Sequence, residues 1–165
     1  MPAIDLSVSD DEGISDFLKL LQESATDFSR HELRLDRVRA LRGKSPCFDR
    51  QLWKKLAEMG WTGMVVPENF GGAGLNYGHM ACVVDVLGEA LIPEPFAATS
   101  VLAAEALLLG EGKLRDDLLE SVISGSRVIA FAYQEVSGVA AGPLQTVISR
   151  ENGALKLNGR KRYVY

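Results

Sequence analysis

The sequence is poor in the residues that most often build metal centres and catalytic sites. It holds two cysteines and two histidines in 165 residues. Cys47 and Cys82 stand far apart with no CxxC spacing, and His31 and His79 lie in unrelated surroundings, so no metal site is expected. A disulfide is open on paper, but two thiols in a chain of this size are more often free and reduced. Basic excess is also missing. The net charge is -4 and Lys and Arg are spread along the chain, which argues against a nucleic-acid partner, since that normally shows as a basic patch or stripe. No apolar run reaches the roughly 18 residues of a membrane span, so no membrane partner is expected. The start Met1-Pro2-Ala3-Ile4-Asp5 has no basic segment followed by an apolar stretch, which makes a cytoplasmic location the expectation. No internal repeat is visible, and solenoids are set aside.

What remains is a 47% hydrophobic chain, enough for an ordinary domain with its own core. Ser9-Asp10-Asp11-Glu12 reads as a helix start, with capping side chains and negative charge at the positive end of the helix dipole. Phe17, Leu20, Leu21, Ser24 and Phe28 follow at helical spacing and predict one apolar face. The stretch 30–44 is rich in Arg and Lys and reads as a charged helix or a solvated connection. A further helix is expected near Pro46, with Leu52, Trp53, Leu56 and Met59 as its core face and Gly60 as its stop. Helix resumes near Asn76, through Val83, Val84, Val86, Leu87 and Leu91, until Pro93 and Pro95 interrupt. Residues 96–109 are almost wholly apolar, which predicts a helix buried on all sides. Leu114, Leu118, Leu119 and Val122 predict one more amphipathic helix, ending at Gly125.

The period then changes. Val128-Ile129-Ala130-Phe131-Ala132-Tyr133 reads as a buried strand, and Thr146-Val147-Ile148-Ser149 and Ala154-Leu155-Lys156-Leu157 as two more strands, with Glu151-Asn152-Gly153 as a hairpin turn. Asn158-Gly159 is a second turn, and Lys161-Arg162-Tyr163-Val164-Tyr165 starts a fourth strand. Ending there would leave an unpaired sheet edge, so further chain, or strands from elsewhere, is expected. The fold class is therefore α+β, with a mostly helical amino-terminal domain (1–126) followed by the opening strands of an incomplete β domain (127–165).

Little in this inventory suggests catalysis. Neither histidine has a Ser, Cys or Asp in a nucleophile arrangement. Asp10-Asp11 and Asp116-Asp117 sit at helix starts, where the dipole already explains them. Phe70-Gly71-Gly72-Ala73-Gly74 lacks the closing Lys-Ser/Thr of a phosphate loop and the helix that must follow a dinucleotide fingerprint, so a tight backbone turn is the better reading.

The order of motifs says more than any one of them. Leu56-Ala57-Glu58-Met59-Gly60-Trp61 followed by Val66-Pro67-Glu68-Asn69-Phe70-Gly71-Gly72-Ala73-Gly74-Leu75 closely resembles the helix-to-loop signature of the acyl-CoA dehydrogenase family. Leu87-Gly88-Glu89-Ala90, the apolar helix ending at Gly110, and Leu155-Lys156-Leu157-Asn158-Gly159-Arg160-Lys161 fall in that family's order and spacing. The resemblance implies a helical domain, a middle β domain and a carboxy-terminal bundle, with FAD as cofactor and an acyl-CoA thioester as substrate. It implies an electron-transfer flavoprotein or similar acceptor, and homo- or hetero-oligomeric association. In the family a carboxylate on the last bundle removes the proton α to the thioester carbonyl while the β-hydrogen leaves as hydride to flavin. That base would lie beyond Tyr165, so no catalytic residue is assigned to this chain.

The same resemblance places Phe131, Tyr133 and Gln134 on the flavin-contacting segment, and Tyr163 and Tyr165 on the strand facing the flavin ring. Aromatic rings suit packing against a flat flavin, and an amide suits its polar edge. Where the family commonly carries Thr, Pro, Ser and a small hydroxylated residue, this chain has Gln134, Val136, Ala140 and Tyr165, the mark of a divergent branch. Ala97 and Val101 fall where the family lines its acyl pocket. Their small side chains would leave room for a bulky or steroid-like acyl group, each methylene of fit being worth about 1–3 kcal/mol. A non-catalytic partner subunit or a helical interaction domain is the alternative the residues leave open.

Overall fold

Helical periodicity governs the chain as far as Ile123 and fails after it, and the fold follows that division. A computed structural model describes residues 12–136 and 143–165. The expected cap Ser9-Asp10-Asp11 and the departure at Ala140 lie outside the described residues. Contacts divide the chain into two units, Met1–Ile129 and Ala130–Tyr165.

In the first unit, α1 (Glu12–Glu32) packs along α4 (Tyr77–Glu89). The core-facing stripe of α1 is Ala25, which is buried, with Leu21 and Phe28 of the expected stripe packed beside it. Phe17 and Leu20 are exposed, although the Phe17 ring still lies 5.4 Å from that of His79. Ala25 shares its cluster with Met80, Val83 and Leu87 of α4. The charged stretch resolves into the end of α1 and a short helix, α2 (Leu35–Leu41).

The helix α3 (Arg50–Glu58) begins later than Pro46 suggests, because Asp49 is its cap: the Asp49 carboxylate accepts from the Gln51 amide at 2.8 Å. Leu52, Trp53 and Leu56 are buried as expected, while Met59, past the last helical turn, is exposed. Asn76 caps α4 in the same way, accepting from the His79 amide. Its expected last member, Leu91, lies beyond the helix in a left-handed conformation and is exposed. Trp53, Leu56, Trp61, Met64, Met80, Val83, Leu87 and Phe96 form the main core, and each large apolar side chain so buried contributes about 1.5–3 kcal/mol. Val66, Ala104 and Leu119 make a second cluster, the last from α6 (Lys113–Ile123). Leu114, expected on the core face of α6, is exposed.

The glycine-rich turn joins these clusters. Gly71 adopts a left-handed φ of 85°. At Gly72 a Cβ would fall 2.0 Å from the Val66 carbonyl oxygen. Ala73 donates to the Gly63 carbonyl at 3.1 Å, Gly74 to Val66 at 2.9 Å and Leu75 to Met64 at 2.9 Å. Those amides are committed to the turn itself, which fits a tight backbone turn and not a phosphate cradle.

Residues 96–109 depart most from expectation. A π-helical segment, Ala98–Ala103, runs into α5 (Ala104–Leu108), and the helix is not buried all round: Leu102 is 52% and Leu109 89% exposed. Its buried face carries Thr99, Ser100, Ala103 and Ala104. When nearly every position is apolar, the pattern carries no phase.

The second unit contains one antiparallel pair, β1 (Val147–Glu151) and β2 (Ala154–Asn158), with Ile148 opposite Leu157 and Arg150 opposite Leu155. Asn152 and Gly153 both take positive φ, 51° and 81°, the conformation that matches a two-residue turn to strand twist. The strands expected at 128–133 and 161–165 do not form a ladder, and the first is not buried, since Phe131 and Tyr133 are exposed. They run as irregular segments, with a backbone bond from Arg162 N–H to the Gln134 carbonyl at 2.7 Å.

Candidate functional site

That bond brings four of the five expected flavin-side residues onto neighbouring segments. Phe131 and Tyr133 stack, with ring centroids 5.9 Å apart and planes 19° apart, and stand 44% and 46% exposed. Gln134 lies between Tyr133 and the bond to Arg162, and its Nε2 donates to the Val136 carbonyl at 3.1 Å. Tyr163 follows Arg162 directly and takes a φ of 52°. A large aromatic residue rarely occupies the left-handed region, a conformation that costs about 1–3 kcal/mol and persists only where surrounding contacts enforce it. Tyr165 is the most exposed of the set.

Beside these residues lies a polar knot that the sequence reading passed over. The Glu135 carboxylate, its side chain 7% exposed, accepts from Lys161 Nζ at 2.7 Å and from the Thr146 amide at 3.0 Å. It also accepts from the Thr146 hydroxyl and the Gln145 amide. Lys161 Nζ donates a second bond, to the Tyr133 carbonyl at 3.2 Å. The Lys161 ammonium, followed by the Thr146 and Gln145 donors, holds the Glu135 carboxyl down to about 2, against an ordinary 4.5.

The two acyl-side residues belong to the helical unit. Ala97 is exposed and Val101 half-buried, and with Glu105 they recur every four residues along one side of the segment. Tyr77 faces Glu105. Partial burial, then the hydrogen bond to that carboxylate, pushes the Tyr77 phenol up to about 12. On the buried side of the same segment Thr99 Oγ1 donates to the Ile129 carbonyl at 2.9 Å, while the Ser100 hydroxyl is buried without a partner. A π-helical turn with a stranded hydroxyl often marks a functional position.

The histidines have structural work. His79 Nδ1 lies 2.7 Å from the Asn76 side-chain oxygen, and His31 Nδ1 2.7 Å from the Asp27 carbonyl. Asp116 accepts from Arg115 and Asp117 from Lys113, so neither is held for proton transfer. Both cysteines are free. No helix among the described residues is long and apolar enough to cross a membrane.

A flat aromatic cofactor suits the second unit's surface, since two parallel rings stand half-exposed with a third aromatic on the adjoining segment. Phe131, Tyr133 and Tyr163 are the residues that would hold it. Residues 15–126 match the family described as acyl-CoA dehydrogenase, N-terminal domain, and the chain belongs to the acyl-CoA dehydrogenase family, whose members bind FAD. It is similar to acyl-CoA dehydrogenase IpdE2 of Mycolicibacterium smegmatis, 34% identical over 116 residues that cover 70% of this chain and 36% of that protein. Among solved structures it is similar to a variant of the Tcur3481-Tcur3483 steroid ACAD, with a TM-score of 0.79 and 28% identity over 92% of this chain and 42% of that one. It is also similar to the ChsE4-ChsE5 complex from Mycobacterium tuberculosis, with a TM-score of 0.75 and 27% identity over 89% of this chain and 40% of that one. The chain spans 39%, 36% and 26% of the lengths of three curated relatives it matches.

Proposed function

We propose that the chain supplies the helical domain (1–126) and the opening β segments (127–165) of an FAD-dependent acyl-CoA dehydrogenase acting on a bulky, steroid-like acyl-CoA thioester. The observation that carries this reading is the half-exposed Phe131–Tyr133 stack beside the strained Tyr163, in a chain whose helical part matches the family. FAD, when bound, supplies the acceptor for the hydride lost from the substrate. This chain's part is to present the aromatic surface and, through Ala97 and Val101, a wall of small side chains for the acyl group. Similarity to a steroid ACAD supports the wide acyl group. Similarity to a two-protein complex supports hetero-oligomeric assembly, and electrons would pass to an electron-transfer flavoprotein or similar acceptor.

The test is optical. Purified protein mixed with FAD should retain flavin absorbance near about 450 nm after gel filtration, and a steroid-like CoA thioester should bleach it faster than a short straight-chain one. Response to short straight-chain thioesters alone would reject the substrate assignment. A second reading, a non-catalytic partner in a hetero-complex, is supported by Gln134, whose amide donor is committed to the Val136 carbonyl. In that case flavin is retained only with a partner subunit, and Tyr133→Ala leaves its retention unchanged.

A further inference from the structure

The two segments that carry the expected flavin contacts are joined by the backbone hydrogen bond from Arg162 to Gln134, a contact worth about 1 kcal/mol net. Register matters here, because side chains of extended chain alternate sides and a slip by one residue would turn Tyr163 to the opposite face. Glu135 adds a side-chain anchor to this pairing. Its nearly buried carboxylate, directly after Tyr133 and Gln134, gathers donors from two other stretches of chain, Lys161 and Gln145-Thr146. Lys161 also reaches back to the Tyr133 carbonyl. A slip would offer Arg160 or Arg162 in place of Lys161, with a forked guanidinium where the knot holds a compact ammonium bridging a carboxylate and a carbonyl.

We infer that Glu135 and Lys161 are positioning residues: their ion pair locks the Phe131–Gln134 segment against the Arg162–Tyr163 segment, so that the aromatic surface is assembled before any cofactor arrives. The inference rests on the cofactor reading given above for its purpose, but the lock itself stands on distances within the second unit. It also accounts for Tyr163. A left-handed tyrosine persists only where its neighbours leave it no alternative, and the lock lies two residues before it.

Hydrogen exchange on the full chain reads the lock without reference to flavin. In Glu135→Gln and Lys161→Met the Arg162 and Thr146 amides should exchange at least about tenfold faster, while amides of α3 and α4 keep their rates. Lys161→Arg should recover part of the protection, and Thr146→Val, which removes one donor to the carboxylate and no charge, should give a smaller acceleration. Unchanged Arg162 exchange in both Glu135→Gln and Lys161→Met overturns the lock. FAD titration then reads its purpose, with an expected loss of affinity of about tenfold or more in Glu135→Gln. Unaltered affinity in a variant whose Arg162 amide has been released overturns the positioning role. Failure of FAD to bind the unmutated chain would count against the cofactor reading and so against that role, while the exchange result still decides the lock.

Discussion

The two units of this protein are held by different forces. Every buried apolar side chain among the described residues, from Ala25 to Val122, belongs to the helical unit. In the second unit Ile148, Leu155 and Leu157 share one face of the hairpin, by the register of β1 and β2, and each is about two-thirds exposed or more. A lone pair of strands has no opposing layer against which to bury a face. Its order rests instead on the strand ladder and on the charged knot at Glu135. Burial should therefore decide the stability of the first unit, and charge the local order of the second.

The largest effect expected lies at Glu94, the one buried charged side chain of the helical unit among the described residues. Glu94, its side chain 0% exposed, accepts from Arg37 at 2.7 and 3.1 Å and from the Asp49 amide at 3.0 Å. This ties α2, the cap of α3 and the loop before the π-helical segment to one carboxylate. Arg37→Ala strands that charge and should cost about 3–5 kcal/mol, read by thermal or urea unfolding of the helical signal. Adding Glu94→Gln should return a good part of the loss. A cost below about 1 kcal/mol would mean the carboxylate finds water or another partner, and that charge inside this unit is as dispensable as on a surface.

Gly72→Ala comes next. The added methyl would meet the Val66 backbone oxygen, and the turn must shift to admit it, a cost of about 1–3 kcal/mol in the same unfolding experiment. Thr99→Val is smaller. It keeps the shape but removes the donor to the Ile129 carbonyl, for an expected loss of about 1 kcal/mol. A change that stays within error in Thr99→Val would show that the buried hydroxyl serves the site and not the fold.

How much of this could be read from the sequence depends on how local its cause is. The helix start near Asn76, Asn152-Gly153 turning the hairpin and the glycine turn at 71–74 are written in residues a few positions apart, and they form as read. The Arg37–Glu94 pair joins residues 57 positions apart, and nothing in the charged stretch around Arg37 marks it out from its exposed neighbours. The helix at 96–109 was legible as helix but not in orientation, because its polar residues Thr99 and Ser100 are the buried ones. The segments at 128–133 and 161–165 have strand composition, but a strand exists only where a partner supplies a ladder. The aromatic residues proposed for flavin came from a family pattern, and Glu135, which binds their segments together, stood inside the same run without any local sign of its partners.

Acid separates the two units most finely, with an effect too small to move global unfolding. Glu135 ionises at about 2 in the folded unit and near 4.5 when free, so its folded form is the better acid. The stabilisation from its ion pair is then complete above about pH 4.5 and is lost as pH falls through 2. Exchange rates, corrected for the intrinsic pH dependence of amide chemistry, should show Arg162 and Thr146 losing protection across that window. In Glu135→Gln the same amides should be unprotected and insensitive to pH. If the wild-type amides instead follow the unfolding of α3 and α4, the second unit draws its order from the helical core and the contrast between the units fails.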